Sequence, residues 1–175
     1  MIKIITIEGA SKSSTDKSQW VSTMVAKTLG RIPTSIDSSL KKRNVFDSIL
    51  EATHKGGSIL FVAKSLGAIR LCQYLQHIRY VCGLLPWKAV LIDPHAPFPL
   101  FYGPFRAFNF RHGISSDVEN FYQRNKYPRG ALVNGAKNTQ IIEYRKDINH
   151  FTIVNHPIIG CAIKRDYNRL LDIEA

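Results

Sequence analysis

At 175 residues, 45% of them hydrophobic, the chain is long enough to bury one ordinary core and too apolar to be disordered. No apolar run approaches the roughly 20 residues that span a bilayer, so a transmembrane helix is not expected. The formal net charge of +11 favours anionic partners, but the basic residues are scattered. The densest run, Lys41-Lys42-Arg43, is too short for a dedicated nucleic-acid arm.

The N-terminus carries one lysine and no small-residue cleavage site, and it reads as a first strand and not as a signal peptide. Lys3 to Ile7 is a β-branched apolar run that stops at Glu8-Gly9-Ala10, as a buried strand meeting a loop would. Ser11 to Asp16 offers several helix N-caps. Trp20, Val21, Met24, Val25 and Leu29 then recur at helical spacing, with Gly30 in a C′-like position. A second amphipathic segment covers Val45 to His54 and ends at Gly56-Gly57.

Ser58 to Ala63 is almost unbrokenly apolar, the pattern of a strand buried on both faces of a parallel sheet. Lys64-Ser65-Leu66-Gly67 follows at once, and Ala68, Ile69, Leu71, Cys72 and Leu75 form a helical stripe. Ala89 to Ile92 is another buried strand, ending at Asp93-Pro94. From Pro94 to Pro128 the pattern dissolves into Pro, Phe, Tyr, Gly and Asn. Gln140 to Tyr144 reads as a last strand and Ile158 to Leu171 as a final amphipathic helix. The alternation of helix and strand predicts one α/β domain over 1–175, with a mostly parallel sheet of about five strands flanked by helices. An irregular, lid-like stretch interrupts it at about 94–128.

The three cysteines, Cys72, Cys82 and Cys161, lie in apolar stretches without close pairing. They are expected to be buried thiols in a reducing compartment, which points to the cytoplasm. There is no G-x-G-x-x-G and no Walker A sequence, and Gly56-Gly57 lies on the wrong side of its strand for a phosphate loop. His95 and His112 lack a partner at metal-ligand spacing, so neither a metal nor another cofactor is expected. The aromatics between Phe98 and Phe110, interleaved with Arg106 and Arg111, suit packing or a lid over an acyl pocket. A base-stacking surface is the rival use.

The chemistry concentrates at Ser65. A buried strand runs into this serine, a helix leaves it, and Ala63 and Gly67 stand two positions to either side. A nucleophile held on a sharp strand-to-helix turn needs small neighbours at those two positions, and the helix N-terminus then aims its amides at developing negative charge. Here the chain resembles the α/β-hydrolase superfamily, whose elbow reads G-x-S-x-G. It departs from that pattern in having Ala63 for the first glycine.

The resemblance implies a pared-down hydrolase, short for the superfamily, of which cutinase-like enzymes and phage cell-wall esterases are compact versions. The family order of serine, acid, histidine implies a base late in the chain. His150, in "DINHFTIVNHP", precedes an apolar segment and a final helix as in the family, and His156 is the alternative base. Without the resemblance, His150 reads as a core hydrogen-bonder and His156, before Pro157, as a helix-opening residue. Asp93, in "LIDPHAP", looks like the acid of pancreatic-type lipases and would end its strand on the rim that carries Ser65; a plain turn with Pro94 is the other reading. Asp147 and Asp117 are lesser candidates. The oxyanion would be held by the backbone amides of Leu66 and Ala10, with Glu8 standing where many members have histidine.

The activity implied is cleavage of a carboxylic ester or thioester. An anionic group on the substrate would suit Lys64 and the basic surface. Two other readings stay open: a hydrolase-fold protein that binds without turning over, and a basic nucleic-acid-binding α/β protein.

Overall fold

A computed structural model describes residues 2–9, 20–38, 42–53, 57–78, 86–95, 117–124, 129–142 and 148–175. The protein is α/β. The described elements, in chain order, are β1 (Lys3–Glu8), α1 (Val21–Leu29), β2 (Thr34–Asp37), α2 (Lys42–Thr53), β3 (Ile59–Lys64), α3 (Leu66–Ile78), β4 (Trp87–Ile92), β5 (Val118–Tyr122), β6 (Lys137–Gln140) and α4 (Pro157–Glu174). A 3₁₀ turn at Ile153–Asn155 leads into α4. Among the described residues no helix is long and apolar enough to cross a membrane.

The six strands form one sheet in the order β2-β1-β3-β4-β5-β6, and every neighbouring pair is parallel. Period-2 alternation divides the core between the two faces. Ile4, Leu60, Val62, Val90 and Ile92 point to the side covered by α1 and α4, where they meet Val21, Val25, Ile159 and Ile163. Ile5, Ile7, Phe61, Ala63, Ala89 and Leu91 point to the other side, against Val45, Ile49, Ala68 and Leu71 of α2 and α3. The central strands are therefore apolar on both faces, which is why β3 and β4 read as unbroken hydrophobic runs.

The chain steps outward from β1 to β2, then crosses back over β1 to β3 and continues the other way. The strand order thus reverses between β1 and β3. In open parallel sheets the crevice at the carboxyl ends of two such strands is where ligands bind. Ser65 directly follows β3 and Gly9 directly follows β1, so both stand on that crevice.

Several elements differ from expectation. Thr34–Asp37 forms the edge strand β2, too short and too polar to stand out as a strand. Within the expected irregular stretch 94–128, Val118–Tyr122 is a fully buried strand. Glu119 and Asn120 mask its apolar pattern because both are paired internally. Glu119 takes ion pairs from Lys137 and Arg165, and Asn120 donates to the Ala131 carbonyl and to Asn138 Oδ1. Residues 96–116, with the aromatic and arginine cluster, lie outside the described residues. The last strand is Lys137–Gln140, earlier than expected and followed by coil at Ile141 and Ile142. The first amides of helix α1 are met by Glu8, which accepts from Val21 and Ser22 at 2.9 and 2.8 Å, and the expected capping stretch Ser11 to Asp16 lies outside the described residues. Gly30 closes α1 with φ of 66° and donates to the Ala26 carbonyl, as its C′-like position implied.

Candidate active site

Ser65 leaves β3 through a left-handed backbone, with φ of 54°. A non-glycine residue held there carries roughly 1–2 kcal/mol of local strain, kept in place by the structure around it. Two bonds do the holding. The Ser65 amide donates to the Ile92 carbonyl of β4, continuing the sheet ladder, and the Ser65 carbonyl accepts from Ile69 in the first turn of α3. The turn also needs room. A Cβ on Gly67 would lie 2.4 Å from the Ile7 carbonyl oxygen and 2.6 Å from that of Glu8. A Cβ on Gly9 would lie 3.0 Å from the Ser65 Cβ. Ala63 causes no such conflict, because its methyl group points into the core under α2 and α3. The Leu66 amide opens α3 beside Ser65, one of the orphan donors of the helix N-terminus. Ala10 lies outside the described residues.

Asp93 follows β4 in the same way. Its amide continues the ladder by donating to the Phe121 carbonyl, and its φ is 47°. The carboxylate is completely buried. Oδ1 accepts from the Gln123 amide at 3.0 Å, and Oδ2 accepts from Gln123 Nε2 at 3.3 Å. The segment 129–131 closes over it: Gly130 donates to the Gln123 carbonyl and Ala131 to the Pro94 carbonyl. A Cβ on Gly130 would sit 2.0 Å from Asp93 Oδ1, so this glycine is what lets the chain pass.

His150 joins the two. Its Nδ1 lies 2.6 Å from Asp93 Oδ2 and its Nε2 2.8 Å from Ser65 Oγ. An ionised carboxylate only accepts, so the proton between His150 and Asp93 belongs on Nδ1. Nε2 is then free to accept from the Ser65 hydroxyl. The loop that aims the imidazole is fixed by its own side chains. Asn149 Oδ1 accepts from the amides of Phe151 and Thr152, and Thr152 Oγ1 accepts from the Asn149 amide. The rings of His95 and Phe151 both meet the His150 ring edge-on with centroids 5.6 Å away. Burial, and then the neighbouring His150, lowers the His95 imidazole below its ordinary value.

The other candidates are placed elsewhere. His156 caps α4, its Nδ1 accepting from the Ile158 amide. Asp117 precedes β5 and pairs with Lys88 of β4 at 2.6 Å. Asp147 lies outside the described residues. Lys64 does not face solvent as an anion-attracting group: its side chain is buried on the α1 and α4 side, and Nζ donates to the Phe151 carbonyl at 3.3 Å. Burial pulls its ammonium down to about 8, against the raising effects of Asp93 and Glu8. Cys72 is a buried thiol pushed well above its usual range, but Cys161 is exposed on the outer side of α4, between the buried Ile159 and Ala162. Residues that sequence patterns did not single out, Gln123, Gly130 and Asn149, hold Asp93 and the loop of His150 in place. Their partners are distant in sequence or local to one turn, and nothing in periodicity marks them.

Comparison with models of known protein families and with curated proteins gives no match.

Proposed function

We propose that the protein is an α/β-hydrolase-type serine hydrolase that cleaves a carboxylic ester or thioester through an acyl-enzyme. The observation that carries this reading is the hydrogen-bonded line from Asp93 through His150 to Ser65, at 2.6 and 2.8 Å, built on a left-handed turn between a strand and a helix. A serine hydroxyl is a weak nucleophile without an adjacent base, and a base needs a third group to hold its tautomer. This line supplies both.

In the reaction, Ser65 Oγ attacks the carbonyl carbon as its proton passes to His150 Nε2. Asp93 stabilises the imidazolium that results, without taking the proton. The negative oxygen of the tetrahedral intermediate is met by the Leu66 amide and the N-terminus of α3. A second donor from the loop after Gly9, at Ala10, completes that pocket in this proposal. The proton on His150 then goes to the leaving alcohol or thiol, and the C–O or C–S bond breaks. Water, deprotonated by His150, releases the acid and restores Ser65. No step calls for a cofactor. The exposed thiol of Cys161 fits a reducing, cytoplasmic setting.

Turnover of short-chain p-nitrophenyl esters and acyl thioesters tests the reading. The expected result is an initial burst, one acyl group per chain, that Ser65→Ala abolishes without altering the melting transition. Turnover that survives in Ser65→Ala overturns it.

A further inference from the structure

The residue before the proposed nucleophile is a buried lysine, and the chemistry described so far does not use it. Lys64 is 4% exposed. It shares the α1 and α4 face of the sheet with Leu60 and Val62, two and four positions back on β3. An isolated ammonium in such a place is strongly unfavourable, so its surroundings must explain its presence. They do so in two ways. Its Nζ donates to the carbonyl of Phe151, the residue next to His150. It also shares the field of two buried carboxylates, Asp93 at 0% and Glu8 at 3% exposed, both of which favour its charged form.

We propose that Lys64 is a positioning and charge-balancing residue of this site. It fixes the backbone beside His150 and, together with the amides from which Asp93 and Glu8 already accept, offsets their negative charge, so that a proton arriving at His150 meets a balanced field. The functional consequence rests on the hydrolase reading; the electrostatic claim does not.

Among the described residues, Asp93 and His95 act on His150 from the segment after β4, Lys64 of β3 lies in the field of Asp93 and donates to the carbonyl beside His150, and Glu8 of β1 acts on Lys64. On α4, Asp166 is engaged by Arg165 and Arg169, and Arg165 also pairs with Glu119 of β5. With Lys64 removed, two negative groups remain and the imidazolium is favoured. With Glu8 removed, the balance tips the other way. The sign of each shift follows from Coulomb's law and opposes the other.

The test is an NMR pH titration of the imidazole resonances. The His150 signal is assigned by its loss in His150→Gln. Titrations of wild type, Lys64→Met, Glu8→Gln and the double variant are then compared. The expected result is a His150 midpoint that rises in Lys64→Met, falls in Glu8→Gln and returns toward wild type in the double variant. A purely structural role does not produce opposite signs or the return. A midpoint unchanged in a cooperatively folded Lys64→Met overturns the proposal. If Lys64→Met does not fold, Glu8→Gln decides alone: a fall supports the proposal, and no change or a rise overturns it. The rate of fluorophosphonate labelling against pH is read in parallel, and its acid limb is expected to move with the midpoint. A wild-type protein that is never labelled overturns the hydrolase reading, while the titration still decides the role of Lys64.

Discussion

Replacing Gly67 by alanine adds one methyl group to the second residue of α3, where two effects of opposite sign meet. Helix propensity alone favours alanine over glycine by about 1 kcal/mol. Packing opposes it, because the new Cβ would lie 2.4 and 2.6 Å from two backbone oxygens of β1. Strand β1 is interior to the sheet, clamped by β2 and β3, and its backbone cannot swing aside as a side chain can. Ordinary contact returns only if α3 or the end of β1 moves by about 1 Å, a clash at the upper end of overpacking penalties, about 3 kcal/mol. The net expectation is a loss of about 2 kcal/mol, read as a lower urea midpoint at unchanged m-value. The labelling rate of Ser65 should fall as well, because Gly9 at the end of the same strand packs on Ser65. A Gly67→Ala protein as stable as wild type, or more so, would refute the packing argument and leave propensity in command.

Further perturbations probe the acid, the base and the buried charge. Gly130→Ala puts a Cβ 2.0 Å from Asp93 Oδ1, so it should push the carboxylate off His150 and slow ester turnover about 100-fold; unchanged turnover would contradict it. His150→Ala should lower turnover by about 10⁶-fold and Asp93→Asn by about 10⁴-fold, because the acid orients and does not attack. His156→Ala should leave turnover intact and lower only the stability of α4, by about 1 kcal/mol, since its role is a cap. Lys64 gives a pH signature in denaturation. Its ammonium is pulled from 10.5 in the open chain to about 8 in the fold, so the unfolded state holds the extra proton between those values. Its burial penalty, roughly 3 kcal/mol, is fully present below pH 8 and disappears as the pH rises toward 10.5. The stability of wild type should therefore gain on that of Lys64→Met across this window, and a constant difference would sink the argument.

The layers of the fold were written in the sequence wherever burial on two faces produced an unambiguous run. Strands β3 and β4 are of this kind, helices α1 and α3 show a one-sided apolar stripe at helical spacing, and the strand-to-helix turn at Ser65 follows from the adjacency of β3 and α3 and the small residues around it. The polar strands were not legible. Glu119 and Asn120 are buried in β5 because Lys137, Arg165, Ala131 and Asn138 satisfy them, and those partners come from elsewhere in the chain. Strand β2 is short and exposed on two of its four residues, so it shows no alternation to detect. At the site, Ser65, Asp93 and His150 stood out through strand ends and a family resemblance. The groups that hold them did not. Gly130 matters only because a distant carboxylate passes beneath it, and Lys64 looked like a surface cation until parity on β3 placed it inside.

The central claim is that Ser65 is an activated nucleophile. Incubation of the folded protein with a fluorophosphonate probe, followed by mass spectrometric mapping of the adduct, tests it most directly. The expected result is one phosphonyl group per chain, on Ser65, lost in both Ser65→Ala and His150→Ala. Folded protein that forms no adduct at Ser65 would contradict the claim and turn attention to a binding role for the basic surface, tested by salt-dependent retention on DNA.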